Sequence, residues 1–162
     1  MNSDLPFQVA GRFAAWMAER DLHLRSDLAS LQRDFEIALE CECSCPDDPV
    51  LTVGSEQYDL GTGAACFFGD ALRQQFSGVW CGELKTKWPL NYYFTRIRFG
   101  DYYFSPFSWV GYRLSNGRES EGTVGDCLRA VIPSMKDGVD KKQRRIDAII
   151  RSGGSVVDFN VF

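Results

Sequence analysis

The sequence predicts an α+β fold in which an antiparallel β-meander packs with helices from the N-terminal and C-terminal ends of the chain. Apolar residues recur every three or four positions in the first 40 residues and again after residue 123, which indicates amphipathic helices. Between residues 79 and 114 the apolar period shortens to two, and the connections are too short for crossover helices. At 162 residues the chain fits one domain, 1–162, with an acidic helical part over 1–60 and the sheet and remaining helices over 61–162.

The acidic part is predicted to contain two helices and a short strand. The first helix covers residues 6–20, with Pro6 in its first turn, and the second begins after Ser26, which acts as its N-cap. A loop then leads to a short strand over residues 50–53. Each helix carries one apolar stripe, so each is expected to bury a single face.

A third helix opens the second part of the chain. Thr62 is its predicted N-cap, and Ser77 and Gly78 end it. Gly69 falls on the apolar stripe, where a glycine costs about 1 kcal/mol in helix propensity. We therefore expect another element to approach the helix closely at Gly69.

The meander is predicted from strand-forming runs separated by turn signals. Residues 79–84 are read as a strand, 85–91 as a loop, and 92–99 and 102–104 as a hairpin around a two-residue turn. Extended structure is expected to resume over residues 109–114.

The C-terminal part is predicted to contain two helices and a strand. A helix over residues 123–132 stops at Pro133, and a second helix covers residues 139–151. Residues 155–162 are read as a terminal strand that pairs into the sheet.

Composition restricts where the protein acts. No stretch offers the roughly 18 uncharged apolar residues that a membrane span needs, and the N-terminus lacks a basic n-region, so a cytoplasmic protein that does not bind membranes is expected. Six cysteines are then expected to be reduced thiols. Cys66 and Cys127 lie among apolar neighbours, where a free cysteine behaves as a small hydrophobe.

The net charge of −4 hides an asymmetry between the two parts of the chain. Residues 1–60 carry 12 Asp/Glu and 4 Arg, whereas residues 61–162 carry 10 Asp/Glu and 14 Lys/Arg. An acidic surface attracts a basic partner, which makes five carboxylates candidate partner-binding residues: Asp34, Glu36, Glu40, Asp47 and Asp48. The alternative is that these carboxylates face water or the basic part of the same chain.

Aromatic residues are concentrated in the predicted meander. Tyr92, Arg96, Arg98, Tyr102 and Trp109 are candidate partner-binding residues, because exposed tyrosine, tryptophan and arginine anchor protein interfaces. The alternative is a sheet covered by helices on both faces.

Motifs that would carry chemistry or hold a cofactor are weak. His23 is the only histidine and lies at a predicted turn. Cys41, Cys43 and Cys45 follow a C-x-C-x-C spacing rather than that of a structural zinc site, and a soft-metal site there is the minor alternative to reduced thiols. The basic run over 141–145 is flanked by aspartates, which favours a solvated helix face over nucleic-acid binding. No catalytic residue, metal or cofactor is therefore predicted.

Part of the chain between residues 60 and 131 resembles small bacterial α+β domains of unknown function of the DUF3806-like group. The matching pieces are a glycine-bearing helix over residues 63–72, a Gly-x-Trp strand at residues 78–80, the pair at 106–107, and the turn over residues 113–117. The resemblance implies an α+β fold and a bacterial source, and it supplies no catalytic residue.

Two functions are expected from these features. The first is a protein-binding inhibitor of the immunity or antitoxin type, whose partner is a cognate toxin that it neutralises by occlusion. The alternative is a small enzyme with a pocket on the aromatic sheet that uses Asp70, Glu83 or Asp101. The oligomeric state cannot be predicted from the sequence.

Overall fold

The computed structural model describes residues 4–42 and 49–154, with side chains from residues 4–40 and 49–154. The predicted α+β class is confirmed, since helices surround two small antiparallel sheets. The predicted terminal strand over 155–162 lies outside the described residues, as do Asp47 and Asp48. The elements in chain order are α1 (Asp4–Ala18), α2 (Leu28–Ser30) with its π-helical continuations Leu31–Phe35 and Ala38–Glu42, β1 (Val50–Val53), β2 (Glu56–Asp59), α3 (Leu60–Phe76), β3 (Val79–Gly82), α4 (Trp88–Phe94), β4 (Thr95–Phe99), β5 (Tyr102–Phe104), α5 (Pro106–Asn116), α6 (Arg118–Glu121) and α7 (Val124–Arg151).

The acidic part contains the two predicted helices and also a hairpin. The second helix is capped by Asp27 rather than by Ser26, because the Asp27 carboxylate accepts a hydrogen bond from the backbone N–H of Ser30 at 2.9 Å. The predicted strand β1 pairs with β2 in an antiparallel hairpin. Strand β2 was not predicted, because only one of its four residues, Tyr58, is buried and its sequence shows almost no apolar alternation.

Helix α3 is the centre of the fold. It begins at Leu60 rather than after Thr62, because the Asp59 carboxylate caps it by accepting from the Thr62 N–H at 2.8 Å. The close approach predicted at Gly69 is confirmed, since a Cβ on this residue would lie 2.6 Å from the Trp80 ring. Helix α1 packs on one side of α3, and the larger sheet and α5 pack on the other sides.

The larger sheet is the predicted meander, with strand order β3-β4-β5 and antiparallel pairing throughout. Its hairpin turns at Gly100 and Asp101, as predicted, because Phe99 pairs with Tyr102. The side chains that face α3 are buried: Trp80, Ile97, Phe99 and Phe104. The strands are shorter than predicted, which leaves room for helices between them.

Two predicted extended segments are helical, and both errors have the same cause. Residues 88–94 form α4 instead of a loop and the start of a strand, and residues 106–116 form α5 instead of resumed extended structure. Both helices carry proline in their first turn, where its missing N–H costs nothing. Their aromatic residues favour strands locally, but helical spacing places one face of each helix against the core, and this burial outweighs the local preference.

The predicted pair of C-terminal helices is one helix, α7, with Pro133 inside it. A proline in a helix interior costs about 3 kcal/mol. Buried residues on both sides of Pro133, Leu128 and Met135, lie on the same apolar stripe, and their burial offsets this cost. A capping box between Thr123 and Asp126 fixes the start of the helix.

One hydrophobic core joins the helices and both sheets. Cys66 and Cys127 are buried in it, as predicted for small apolar side chains. Among the described residues, no helix is both long enough and apolar enough to span a membrane.

Candidate functional site

Helix α4 is fixed to the body of the protein through one face. Trp88 and Tyr92 turn inward, with ring centroids 5.2 Å apart, and Tyr92 also packs on Tyr112 of α5 at 5.5 Å. Gly111 of α5 allows this contact, because a Cβ there would lie 2.5 Å from the Trp88 ring. Burial, and then the neighbouring Tyr112, raise the pKa of Tyr92 to about 12.

A buried amide fixes the loop that precedes α4. The Asn91 side chain accepts from the Lys85 N–H at 2.7 Å and donates to the carbonyl oxygens of Lys85 at 3.0 Å and Lys87 at 3.3 Å. Its carbonyl oxygen also accepts from the Thr95 hydroxyl at 2.9 Å. The loop, the helix and the start of β4 are therefore connected through one fully buried side chain.

The opposite face of α4 presents large apolar side chains to solvent. Leu90 is 51% exposed, Phe94 is 52% exposed, and Tyr93 is 87% exposed. Positions three and four apart lie on the same side of a helix, so these three residues form one patch. Isolated exposed apolar residues are normal, whereas large contiguous apolar patches are typical of interaction sites.

The outer face of the meander extends this patch. Val79 of β3 and Tyr103 of β5 are about half exposed, and the Arg96 guanidinium lies over the Tyr103 ring at 4.5 Å. Helix α4 continues directly into β4, and both elements bury the opposite face against the core. We call this region the aromatic surface, and its residues are Val79, Leu90, Tyr93, Phe94, Arg96, Arg98 and Tyr103.

The charges on and beside the aromatic surface are mostly basic. Lys85 pairs with Glu83 at 2.7 Å and lies 5.2 Å from the centroid of the Phe94 ring. Lys87, Arg96 and Arg98 form no ion pair with any carboxylate of the described residues. The region therefore combines exposed rings with three cations that form no ion pair with a described carboxylate.

Two of the predicted partner-binding carboxylates belong to an internal cluster. Glu36 accepts from Arg113 at 2.6 Å and from the Val124 N–H at 2.5 Å, and its side chain is only 12% exposed. Glu40 accepts from Arg113 at 3.1 Å and pairs with Arg118 at 3.4 Å. We call these five residues the acidic junction. In the acidic junction, Glu36 and Glu40 therefore face basic residues of the second part of the same chain.

The other predicted partner-binding residues lie in different environments. Asp34 pairs with the neighbouring Arg33, which lowers the pKa of the Asp34 carboxyl. Tyr92 and Trp109 pack inward, the latter at 5.3 Å from Phe68, and half-buried Tyr102 lies on β5, which α7 packs against. Only Arg96 and Arg98 of the predicted set lie on the aromatic surface.

The most exposed residues of this surface, Leu90, Tyr93 and Phe94, were missed by the sequence analysis. They were missed because residues 92–94 were assigned to a strand, in which Tyr92 and Tyr93 would face opposite sides. Pro89 in the first turn of a helix, with inward Trp88, Asn91 and Tyr92 at helical spacing around it, was the signal that could have identified them.

The carboxylates proposed for an enzyme lie in three separate places. Asp70 is buried and accepts from Arg73 and Gln74, both at 2.6 Å. Glu83 pairs with Lys85, and Asp101 pairs with Arg145 of α7. Asp70 and Glu83 line two different open grooves of about 550 and 600 Å³. No two of the three are brought together for acid–base chemistry.

The remaining sequence motifs also form no site among the described residues. His23 is exposed at the turn between helices. The basic run lies on α7, where Lys141 and Arg144 pair with Asp137, as expected for a solvated face. Within the described side chains no group of three His, Cys, Asp or Glu residues could hold a metal ion. The cysteine triplet has no described side chains, so this statement does not cover it.

Comparison with known proteins adds no relative, since no family model, curated protein or solved structure matches the chain.

Proposed function

We propose that the protein is a protein-binding module and that the aromatic surface is its interface. The observation that carries this proposal is the exposure of Tyr93 between Leu90 and Phe94 on a helix whose other face is anchored. Tyrosine and arginine are enriched among the residues that contribute most to binding energy at protein interfaces. Fully burying an apolar side chain of this size stabilises a complex by roughly 1.5–3 kcal/mol.

Rigidity also supports an interface on α4. Binding is weakened by the entropy lost when loops and side chains become ordered. Asn91 already fixes the loop and the helix, and the ring contacts of Trp88, Tyr92 and Tyr112 hold the helix in place. The exposed side chains therefore belong to a platform that needs little rearrangement on binding.

The specific form of this proposal is an inhibitor of the immunity or antitoxin type, whose cognate partner is a toxin. A rigid, outward-facing apolar patch can cover the active site of another protein without chemistry of its own. The enzyme alternative has no supporting observation, because Asp70, Glu83 and Asp101 are apart and each is bonded to a neighbouring donor. The toxin assignment rests on the resemblance to small bacterial domains.

The binding role can be tested by photo-crosslinking in the native cells. The photoreactive p-benzoylphenylalanine is placed at position 93, and a matched variant carries it at position 150 of α7, where Ile150 is also more than half exposed. We expect one discrete protein adduct from position 93 and none of that mass from position 150. The absence of an adduct at position 93, or the same adduct at both positions, would contradict the proposed interface.

The inhibitor role is tested separately with the captured protein. We expect the captured protein to arrest growth when it is expressed alone, and co-expression of the intact chain to restore growth. A Tyr93→Ser variant should fail to restore it. If the captured protein is harmless alone, the inhibitor role is wrong while the binding role stands.

A further inference from the structure

The charges around the aromatic surface indicate which charge a partner's surface must carry to match it. We infer that the partner carries an acidic patch around an apolar centre, and this inference rests on the proposed binding function. It reverses the expectation from the sequence, in which the acidic first 60 residues were to attract a basic partner. The argument depends on which charges are already neutralised within the chain.

Five of the 12 acidic residues of the first part are engaged within the fold. Asp27 and Asp59 cap helices, Asp34 pairs with Arg33, and Glu36 and Glu40 hold Arg113. A carboxylate that already accepts hydrogen bonds from a nearby cation contributes little field to an approaching molecule. The negative count of residues 1–60 is therefore a poor guide to the surface that a partner meets.

The basic residues near the aromatic surface are in the opposite situation. Lys87 is exposed next to α4, Arg96 is exposed on β4, and half-buried Arg98 lies beside Lys142 of α7 in a groove that also contains Val79. None of these four cations pairs with a carboxylate of the described residues. Three described carboxylates border α4: Asp59 accepts from the Trp88 N–H at 3.2 Å, Glu83 pairs with Lys85 at 2.7 Å, and Glu56 lines the groove beside Leu90.

Charge complementarity then requires a negative partner surface. Bringing a basic partner against these cations would place like charges together, which costs several kcal/mol in a protein interface. An acidic partner gains faster association, and its own apolar residues cover Leu90, Tyr93 and Phe94.

Single-stranded nucleic acid is the other ligand class that combines aromatic and basic contacts, and the structure disfavours it. Base stacking needs free ring faces. The Arg96 guanidinium already lies over the Tyr103 ring, and the Lys85 ammonium lies near the face of Phe94. Of the three exposed rings of the aromatic surface, Tyr93 is the one that no described cation covers, so a run of stacked bases would find one open ring.

The test uses the protein captured through position 93, in purified form, and measures its association rate with the intact chain. The double variant Lys87→Glu/Arg96→Glu reverses two free cations on the aromatic surface. The matched control, Lys141→Glu/Arg144→Glu, makes the same change in net charge on α7. At low salt we expect the first variant to associate at least tenfold more slowly than the unmodified chain, and the control within about twofold. Added salt should slow the unmodified chain.

Each other outcome has a definite meaning. Association that is independent of salt, or that accelerates in Lys87→Glu/Arg96→Glu, would overturn the acidic partner while leaving the binding function intact. A missing adduct at position 93 would contradict both the acidic partner and the proposed binding function. A fluorescein-labelled mixed-sequence DNA oligonucleotide that binds the chain and is released by the same double reversal would replace the protein partner with nucleic acid.

Discussion

The charged residues of the acidic junction are paired with one another, whereas those of the aromatic surface form no ion pair with a described carboxylate. In the acidic junction the Arg113 side chain is 4% exposed and meets two carboxylates, so its charge is neutralised inside the fold. On the aromatic surface Arg96 is exposed, its guanidinium lies over the ring of Tyr103, and it forms no ion pair with a described carboxylate. Both arginines contribute equally to the net charge of the sequence. Of the two, only Arg96 is accessible to another molecule.

This difference separates residues that hold the fold together from residues that are available to a partner. The acidic junction joins the second helical segment to α5 and to the first residue of α7, elements that are 77 and 88 positions away in the chain. On the aromatic surface, the contact of Arg96 with Tyr103 joins two neighbouring strands of one sheet. Changes in the junction are therefore expected to reduce stability, and changes on the surface are expected to reduce binding.

The largest expected effect is that of Glu36→Gln. This change leaves the buried Arg113 without its nearest counter-charge, and removing one partner of a buried ion pair costs roughly 3–5 kcal/mol. The Val124 N–H also loses a charged acceptor. Urea unfolding followed by circular dichroism should show this loss of stability.

A control for the first prediction is Asp34→Asn, which removes a charge of the same sign from the same helical segment. Its partner Arg33 is mostly exposed, and an exposed pair contributes about 0–1 kcal/mol. If Glu36→Gln and Asp34→Asn lower the free energy of unfolding equally, the junction is not the structural element described above.

The second effect is that of changing Asn91, the buried residue that fixes α4 and the loop before it. Asn91→Ala leaves the N–H of Lys85 and the carbonyl oxygens of Lys85 and Lys87 without their buried partner. An unsatisfied buried polar group costs roughly 1–3 kcal/mol, so we expect a loss in that range, again measured by urea unfolding. Amide hydrogen exchange should increase in residues 85–95 and stay unchanged in the acidic junction.

A uniform increase in exchange across the chain would contradict a local role for Asn91. The Asn91→Ala variant should also bind its partner more weakly, because a loosened α4 must be ordered again on association. The affinity of Asn91→Ala for the protein captured at position 93 should fall even though Asn91 itself is buried.

The third effect is the contribution of Tyr92, on the inner face of α4, to the pH dependence of stability. Burial raises the pKa of Tyr92 in the folded protein to about 12, above the ordinary tyrosine value of 10.0. Between these two values the unfolded chain loses the Tyr92 proton and the folded chain keeps it, so folding stability falls as pH rises through this interval. Tyr92→Phe should reduce the loss of stability between pH 9 and pH 11, measured by urea unfolding at each pH.

The tyrosinate absorbance at 295 nm gives an independent check of this assignment. The latest-ionising part of the titration of the folded protein should shrink in Tyr92→Phe. An unchanged titration at high pH would mean that Tyr92 is not held in the buried position next to Tyr112.

Local sequence patterns were sufficient to predict part of the fold, but they predicted few residues of the aromatic surface. The helix around Gly69 and the two-residue turn at Gly100 could be predicted, because helical periodicity and turn preference act over a few residues. Helices α4 and α5 could not, because their aromatic residues favour strands locally and become helical through packing against α3 and against each other.

The candidate site was harder to predict for a related reason. Whether Glu36 is free or engaged depends on Arg113 and Val124, and no short-range pattern connects residues so far apart. The exposure of Tyr93 depends on the assignment of α4, so an error in one element moved the predicted interface from Tyr93 to Tyr92. The general prediction of an aromatic and basic binding surface retains only Arg96 and Arg98 from its original residues.

The smallest expected effect on stability comes from Tyr93→Ser, and it completes the contrast between the two regions. Tyr93 is 87% exposed, and substitutions at exposed positions without special contacts change the free energy of unfolding by no more than about 0.5 kcal/mol. The same change should abolish association with the protein captured at position 93, whereas Ile150→Ser, at a matched exposed position, should leave both properties unchanged. A marked loss of stability in Tyr93→Ser would mean that the ring serves the fold, as Glu36 does. A stable variant that no longer binds would mean that the ring is exposed for a partner, because nothing within the described part of the chain then needs it.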